Sequence, residues 1–188
     1  CSKNKFVPDY FNRIVERIEH IKPLPQSIGA VTIGGGTDLL VQKHDDVYES
    51  SIQGVIGKKD SIGIKFSEDK CSIGAITSVS ELMESEEMIG MFPNLFNHMK
   101  LVASTPIRNS GTIGGNLVNA SPIGDLTAFF LALNSSILIQ NNNGDQRDLF
   151  LKDFYRGYKT YDLADDEHLI KIQFDIPGEN THFNFEKV

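Results

Sequence analysis

The chain has 188 residues, 40% hydrophobic and 23% charged, which at about 100–200 residues per domain is one domain with room for two lobes, and it is long enough to fold without disulfides or structural metal. Its formal charge of −7, from 25 acidic and 18 basic residues, argues against the basic footprint of non-specific nucleic-acid binding but not against a small anion held by backbone amides. The longest apolar stretch, residues 129–133, is far too short to cross a membrane, the N-terminal CSKNKFVPDY lacks the apolar core of a signal peptide, and Cys1 and Cys71 make neither a CxxC pair nor a disulfide framework, which fits a reducing, cytoplasmic compartment.

Residues 10–21 place Ile14, Ile18 and Ile21 at helical spacing, with Arg13, Glu16, Arg17 and Glu19 between them. This predicts an amphipathic helix capped by Asp9 and stopped by Pro23 and Pro25. The β-prone run Ala30-Val31-Thr32-Ile33 leads at once into Gly34-Gly35-Gly36-Thr37-Asp38-Leu39-Leu40, a strand, a glycine loop and a helix. Residues 62–75 predict a hairpin, with Ile64 and Phe66 before a polar Ser-Glu-Asp-Lys turn and Cys71 and Ile73 after it. Ser78-Val79-Ser80-Glu81 has the spacing of a capping box, and the helix it opens is expected to run through Leu82, Met83 and Met88. Another helix is expected over 94–103, with Leu95, Phe96, Met99 and Val102 on one side.

The next segment, Ser104-Thr105-Pro106-Ile107-Arg108-Asn109-Ser110-Gly111-Thr112-Ile113-Gly114-Gly115-Asn116, is the most unusual in the chain. It continues through residues 117–125 into an apolar helix over 126–133. Strands are expected at 136–140 and 148–151, split by an Asn-Asn-Asn-Gly-Asp turn. Residues 170–176 alternate cleanly, with Ile170, Ile172, Phe174 and Ile176 on one face and Lys171, Gln173 and Asp175 on the other. Phe183 and Phe185 restart that alternation, and the chain stops at Val188 inside an expected element, as one domain of a longer chain would.

Both glycine segments share one chemistry. Glycine admits φ > 0 and lets a ligand approach the main chain, and successive amides then form an anion-binding nest that a following helix reinforces. Two such loops converging would hold a pyrophosphate from both sides. Each loop alone reads equally well as a tight turn. Neither is a familiar fingerprint: Leu39 stands where G-x-G-x-x-G needs its third glycine, and there is no Gly-Lys-Ser/Thr. Asp125 has two compatible roles, helix N-cap and acceptor for a sugar hydroxyl. Arg108, the only cation close in sequence to a glycine loop, would contact phosphate or pair with a surface carboxylate.

Catalytic sets are poor. His20, His44, His98, His168 and His182 show no metal-ligand spacing, and there is no G-x-S-x-G elbow. Cys71 reads as a buried small hydrophobe, and Glu84, Glu86 and Glu87 as a solvated helix face. The pattern is ligand binding without acid–base machinery, as in a domain whose cofactor carries the chemistry.

The segments 33–39 and 107–117, extended by Ala120-Ser121-Pro122-Ile123-Gly124-Asp125 and by Phe183-Asn184-Phe185-Glu186-Lys187-Val188, resemble the flavin domain of the molybdenum hydroxylases, such as xanthine dehydrogenase and carbon monoxide dehydrogenase. Phe6-Val7-Pro8-Asp9-Tyr10-Phe11 resembles the linker that joins a two-iron two-sulfur domain to the flavin domain in bacterial xanthine dehydrogenase small subunits. The resemblance implies an α+β, two-lobed FAD-binding domain of the vanillyl-alcohol oxidase / molybdopterin dehydrogenase type. Residues 1–23 would be linker and N-terminal helix, 24–76 the first FAD-binding lobe and 77–188 the second, with the C-terminal flavoprotein domain absent. By the same resemblance the FAD contacts are Thr32, Ile33, Gly34, Gly35, Gly36, Thr37, Asp38 and Leu39 from the first segment. From the second they are Gly111, Thr112, Gly115, Asn116, Val118 and Asn119, with Asp125 on the sugar portion, Val102 near the flavin, and Leu163 and Lys187 at looser positions.

The function implied is FAD-dependent electron transfer within a xanthine dehydrogenase-like molybdenum hydroxylase. Its partners would be a two-iron two-sulfur domain and a molybdopterin-binding subunit, with NAD or dioxygen as acceptor, and with no nucleic acid and no membrane. With only Cys1 and Cys71, the chain has fewer than the four thiolates an iron–sulfur cluster takes, and no complete enzyme is expected of it alone. A stand-alone flavin oxidase of the vanillyl-alcohol oxidase type and a non-catalytic FAD- or ADP-binding module are the alternatives.

Overall fold

The structure, a computed structural model, describes residues 8–20, 31–54, 59–178 and 180–187. Cys1, Ile21, Pro23, Pro25, Ala30 and Val188, on which several expectations fall, lie outside them. In place of one helix over 10–21, a 3₁₀ turn (Asp9–Arg13) leads into the short α1 (Ile14–Glu19). Asp9 sits inside the turn and makes no capping bond. Tyr10, Phe11, Val15 and Ile18 are exposed, so the apolar stripe faces solvent.

The first glycine segment lies in a crossover between two parallel strands, β1 (Val31–Ile33) and β2 (Ile52–Gly54), paired Val31↔Ile52 to Ile33↔Gly54. The connection contains α2 (Leu39–Gln42) and α3 (His44–Glu49), separated at Lys43, whose φ of −138° leaves the helical region. Strand β2 has too little pattern in three residues to be legible in the sequence.

Strands β3 (Ile64–Phe66) and β4 (Lys70–Gly74) form the expected hairpin, with Phe66 opposite Cys71. The Ser78 capping box is complete: Glu81 N–H donates to Ser78 Oγ at 3.1 Å, and Ser78 N–H to Glu81 Oε2 at 2.7 Å. The helix it opens is shorter than expected. It ends as α4 (Val79–Glu84) because Ser85, in the β region, starts α5 (Glu86–Met91) by accepting Met88 N–H at 3.3 Å. In α6 (Leu95–Lys100), Leu95 and Met99 are buried, as is Val102 beyond its end. Phe96 departs from the expected face; it is 39% exposed and lies under the Lys100 ammonium. Then follow α7 (Thr105–Ser110), α8 (Ile113–Val118) and α9 (Asp125–Ala132).

Strands β5 (Ser136–Asn141) and β6 (Gln146–Phe150) flank the predicted turn, where Gly144 has φ +95°. Leu151, expected at the end of that strand, begins α10 (Leu151–Phe154). A small ribbon of β7 (Tyr155–Gly157) and β8 (Thr160–Tyr161) precedes the long β9 (Glu167–Asp175).

The main sheet is antiparallel with order β3-β4-β9-β5-β6. The β3–β4 hairpin, N-terminal to residue 76, is therefore hydrogen-bonded into a sheet with later strands, with Ile73 beside Ile172. The expected alternation of β9 fails at one position. Leu138 pairs with Lys171 and Ile139 with Leu169, so Ile170 is the extra residue of a bulge. Leu169 consequently joins Ile172 and Phe174 in the main cluster. That cluster packs Ile73, Ile137, Ile139 and Ile172 against Leu82, Met88, Leu95, Met99, Leu117, Leu126 and Phe129. Phe183 and Phe185 are not in a strand; their segment has no regular structure, and the Phe183 ring stands 5.0 Å from those of Phe92 and Phe129. Cys71 is fully buried beside Met88, and burial pushes its thiol up to about 12.

Candidate functional site

The two glycine segments meet. After β1 the backbone turns sharply at Gly36, whose φ of +68° suits glycine. Gly35 is needed for a different reason: a Cβ there would stand 1.7 Å from the Ser110 carbonyl oxygen. At Gly34 it would stand 2.6 Å from Thr112 Oγ1. These two glycines let the first loop lie directly on residues 110–112.

The second segment is built differently from expectation. Gly114 and Gly115 lie in the first turn of α8, which Thr112 caps by accepting Gly115 N–H at 3.1 Å. Most of its amides are spent inside the protein: Gly111 N–H donates to Ile107 O, Ile113 N–H to Thr77 O, Gly114 N–H to Ala75 O and Asn116 N–H to Thr112 O. The amide donors of the site therefore come mainly from the first segment, with Thr112 N–H of the second also lacking an acceptor among the described residues. The amides of Gly35, Gly36, Thr37 and Asp38 have no acceptor among the described residues. What the second segment mainly presents is side chains, including Asn116, whose Oδ1 is buried without a partner among the described residues.

Between the segments lies a cleft of about 800 Å³. Of the residues singled out in the sequence, Thr32 through Leu39, Val102, Gly111, Thr112, Gly115, Asn116, Val118, Asn119 and Leu163 all line it. Asp125 and Lys187 do not; they pair with each other at 2.8 Å, and Lys187 Nζ also donates to Leu101 O at 3.3 Å. Gly124 is the N-cap residue of α9, and the Asp125 carboxylate makes no cap bond.

The sequence reading missed a third wall, formed by Lys159, Tyr161, Ala164, Asp165, Glu167, His168 and Leu169. Only long-range pairing brings it to the cleft. Arg147 on β6 holds it there: Nε and Nη2 each reach the Glu167 carboxylate at 2.7 Å, and Nη2 donates to Asp162 O at 3.0 Å. Glu167 also accepts from Ala164 N–H at 2.9 Å, and Asp162 pairs with Arg156 at 2.6 Å. The guanidinium hydrogen bond holds the Glu167 carboxyl down to about 2.

Arg108 does not pair with a surface carboxylate among the described residues. It is buried, and its guanidinium donates to Val102 O at 2.9 Å, Ala103 O at 2.7 Å and Thr105 Oγ1 at 2.9 Å. It thereby fixes the 102–105 turn, in which Ala103 is left-handed at φ +48°. Nor is it the lone cation of the site, since Lys43 and Lys159 also line the cleft. Of the histidines, His44 is exposed, and His98 is buried with the Phe183 and Phe185 rings about it. Among the described residues no helix is long and apolar enough to cross a membrane.

The arrangement offers free amides on one side, polar side chains on another, and no nucleophile poised beside a base. It suits an extended, anion-bearing ligand. Comparison with known proteins agrees. A family model described as the FAD binding domain in molybdopterin dehydrogenase matches residues 8–177. The nicotinate dehydrogenase FAD-subunit of Eubacterium barkeri is 27% identical over 187 residues, covering 97% of this chain and 62% of that protein. The carbon monoxide dehydrogenase medium chain of Hydrogenophaga pseudoflava is 28% identical over 126 residues, 67% of this chain and 44% of that one. Xanthine dehydrogenase 1 of Arabidopsis thaliana is 42% identical over 74 residues, 39% of this chain and 5% of that protein. Among solved structures, carbon monoxide dehydrogenase from Hydrogenophaga pseudoflava superimposes with a TM-score of 0.78 at 25% identity, covering 86% of this chain and 56% of that one. The chain thus spans under two thirds of the length of each of these relatives.

Proposed function

The chain belongs to the family of FAD-binding domains in molybdopterin dehydrogenases, and from that membership we propose that it is the electron-transfer part of a xanthine dehydrogenase-like molybdenum hydroxylase. In this reading it works in the cytoplasm beside a two-iron two-sulfur domain and a molybdopterin-binding subunit, with NAD or dioxygen as the final acceptor. FAD is its cofactor; when bound it supplies the electron-accepting and electron-donating chemistry that no side chain here can supply.

One observation carries the assignment of the site: a single cleft brings together both glycine segments, with four amides on one wall and the buried Asn116 Oδ1 on another that have no partner among the described residues. A dinucleotide fits that donor set. The amides of residues 35–38 would bind the diphosphate, replacing the water they would otherwise hold. Asn116 and the Thr112 hydroxyl would meet polar groups of the same ligand. Val102, Val118 and Leu163 supply apolar walls that exclude water from it. Asp125 and Lys187, already paired with each other, would act from beyond this lining. The chain's own residues bind, orient and shield, and none acts as acid, base or nucleophile on a substrate.

The test of the relay reading is redox behaviour of the FAD-loaded chain under anaerobic conditions. NADH should reduce the flavin and an artificial acceptor should reoxidise it. Purines and aldehydes should leave the flavin colour unchanged unless a molybdenum subunit is added. Bleaching by an organic substrate with the chain alone would replace the relay with a stand-alone oxidase.

A further inference from the structure

Among the described residues, the cleft has one buried guanidinium and no ammonium as deeply buried, and no carboxylate offsets its charge. Arg108 is 8% exposed and lines the cleft, and it takes part in none of the ion pairs among the described residues. Its terminal nitrogens reach only neutral oxygens, those of Val102, Ala103 and Thr105. Its Nε is buried with no partner among the described residues. The other charges of the cleft are either solvated or satisfied. Lys43, Lys159 and Asp165 are exposed. Asp38 accepts from Gln42 Nε2 at 2.9 Å, and Glu167 belongs to Arg147.

Burying an ion costs several kcal/mol unless an opposite charge or strong hydrogen bonds compensate it. Three carbonyl and hydroxyl oxygens compensate Arg108 only as dipoles, which leaves a net positive charge at the cleft wall. In so dry a place its attraction for an anion is screened far less than at a surface. We propose that Arg108 is the charge-specificity determinant of this cleft: it makes the site prefer phosphorylated flavin over the uncharged nucleoside-like form. This rests on the reading that a flavin occupies the cleft. The amides of residues 35–38, without an acceptor among the described residues, give hydrogen bonds and geometry, while Arg108 adds a buried positive charge to the exposed ones of Lys43 and Lys159.

The experiment is equilibrium titration of the full chain with FAD and with riboflavin, followed by flavin fluorescence, in paired variants. Ala103→Asp places a carboxylate on the residue whose carbonyl already lies 2.7 Å from the guanidinium. Ala103 is exposed, and Asp and Asn both tolerate its left-handed φ. Ala103→Asn supplies nearly the same shape without charge. The Asp variant should bind FAD about ten-fold more weakly than the Asn variant, with riboflavin affinity equal in the two. Ala103 itself lines the cleft, so the same pair is repeated in Arg108→Gln, which keeps a donor for the turn carbonyls, with Arg108→Met as a second neutral variant. Either Arg108 variant should lower the FAD-to-riboflavin ratio and shrink the difference between Asp and Asn at 103; an undiminished difference overturns the role given to Arg108. An unchanged ratio between Ala103→Asp and Ala103→Asn overturns the role given to Arg108 and leaves the flavin reading standing. Failure of the unmodified chain to bind either flavin overturns both.

Discussion

Three residues give the sharpest tests of how the site is held. Asn116 has its Oδ1 buried and unsatisfied in the cleft wall, so a ligand that completes it gains what water cannot. Asn116→Ala should weaken FAD by about 1–3 kcal/mol, read by titrating the apo chain, with little change in its thermal midpoint. Glu167 is held at about 2, below its ordinary 4.5, by Arg147. A depressed carboxyl contributes stability that is present above its unfolded value and lost as pH falls through the folded one. The stability difference between the native chain and Glu167→Gln should therefore be full near neutrality and shrink progressively between pH 4.5 and about 2; denaturant titrations across that range measure it. Cys71, pushed up to about 12 by burial, stays a thiol at neutral pH and is shut off from solvent. In a Cys1→Ser background, iodoacetamide should label it only after denaturation.

Local signals fixed some elements and tertiary contacts fixed the rest. The 64–74 hairpin and the Ser78 box were legible because alternation, turn and cap are encoded within a few residues. Ser78→Ala removes the cap and should cost about 1 kcal/mol of stability, seen as a lowered thermal midpoint with FAD binding retained, since Ser78 is absent from the cleft lining. The break at Ser85 was hidden inside a continuous apolar pattern, because a second cap can interrupt a helix without changing its hydrophobic spacing. The bulge at Ile170 was invisible for a related reason: alternation in β9 says nothing about register against β5. Gly114 and Gly115 read as loop because glycine is a poor helix former. They sit in the first turn of α8, capped by Thr112, and glycine is required at 114 because a Cβ there would stand 2.8 Å from the Ala75 Cβ.

At the scale of the whole molecule, both glycine segments were found from composition and order, but the reason for the glycines was not. Gly35 reads in the sequence as room for a phosphate, and in the structure it is also the contact that lets the first loop lie on Ser110. Of the third wall, residues 159–169, only Leu163 was legible, through the family resemblance; the rest had no sequence signal, because the Arg147 bridge to Glu167 joins positions 20 apart on different strands. In the proposed function the cleft between these walls is the FAD site, and the contact of the first loop with residues 110–112 creates it. Titrating the apo chain with FAD, with circular dichroism alongside, tests this most directly in the native chain and in Gly35→Val. The native chain should take up one FAD, whereas Gly35→Val, whose Cβ would fall 1.7 Å from the Ser110 oxygen, should keep its main-sheet signal and lose FAD. Full flavin occupancy in a folded Gly35→Val would contradict the account.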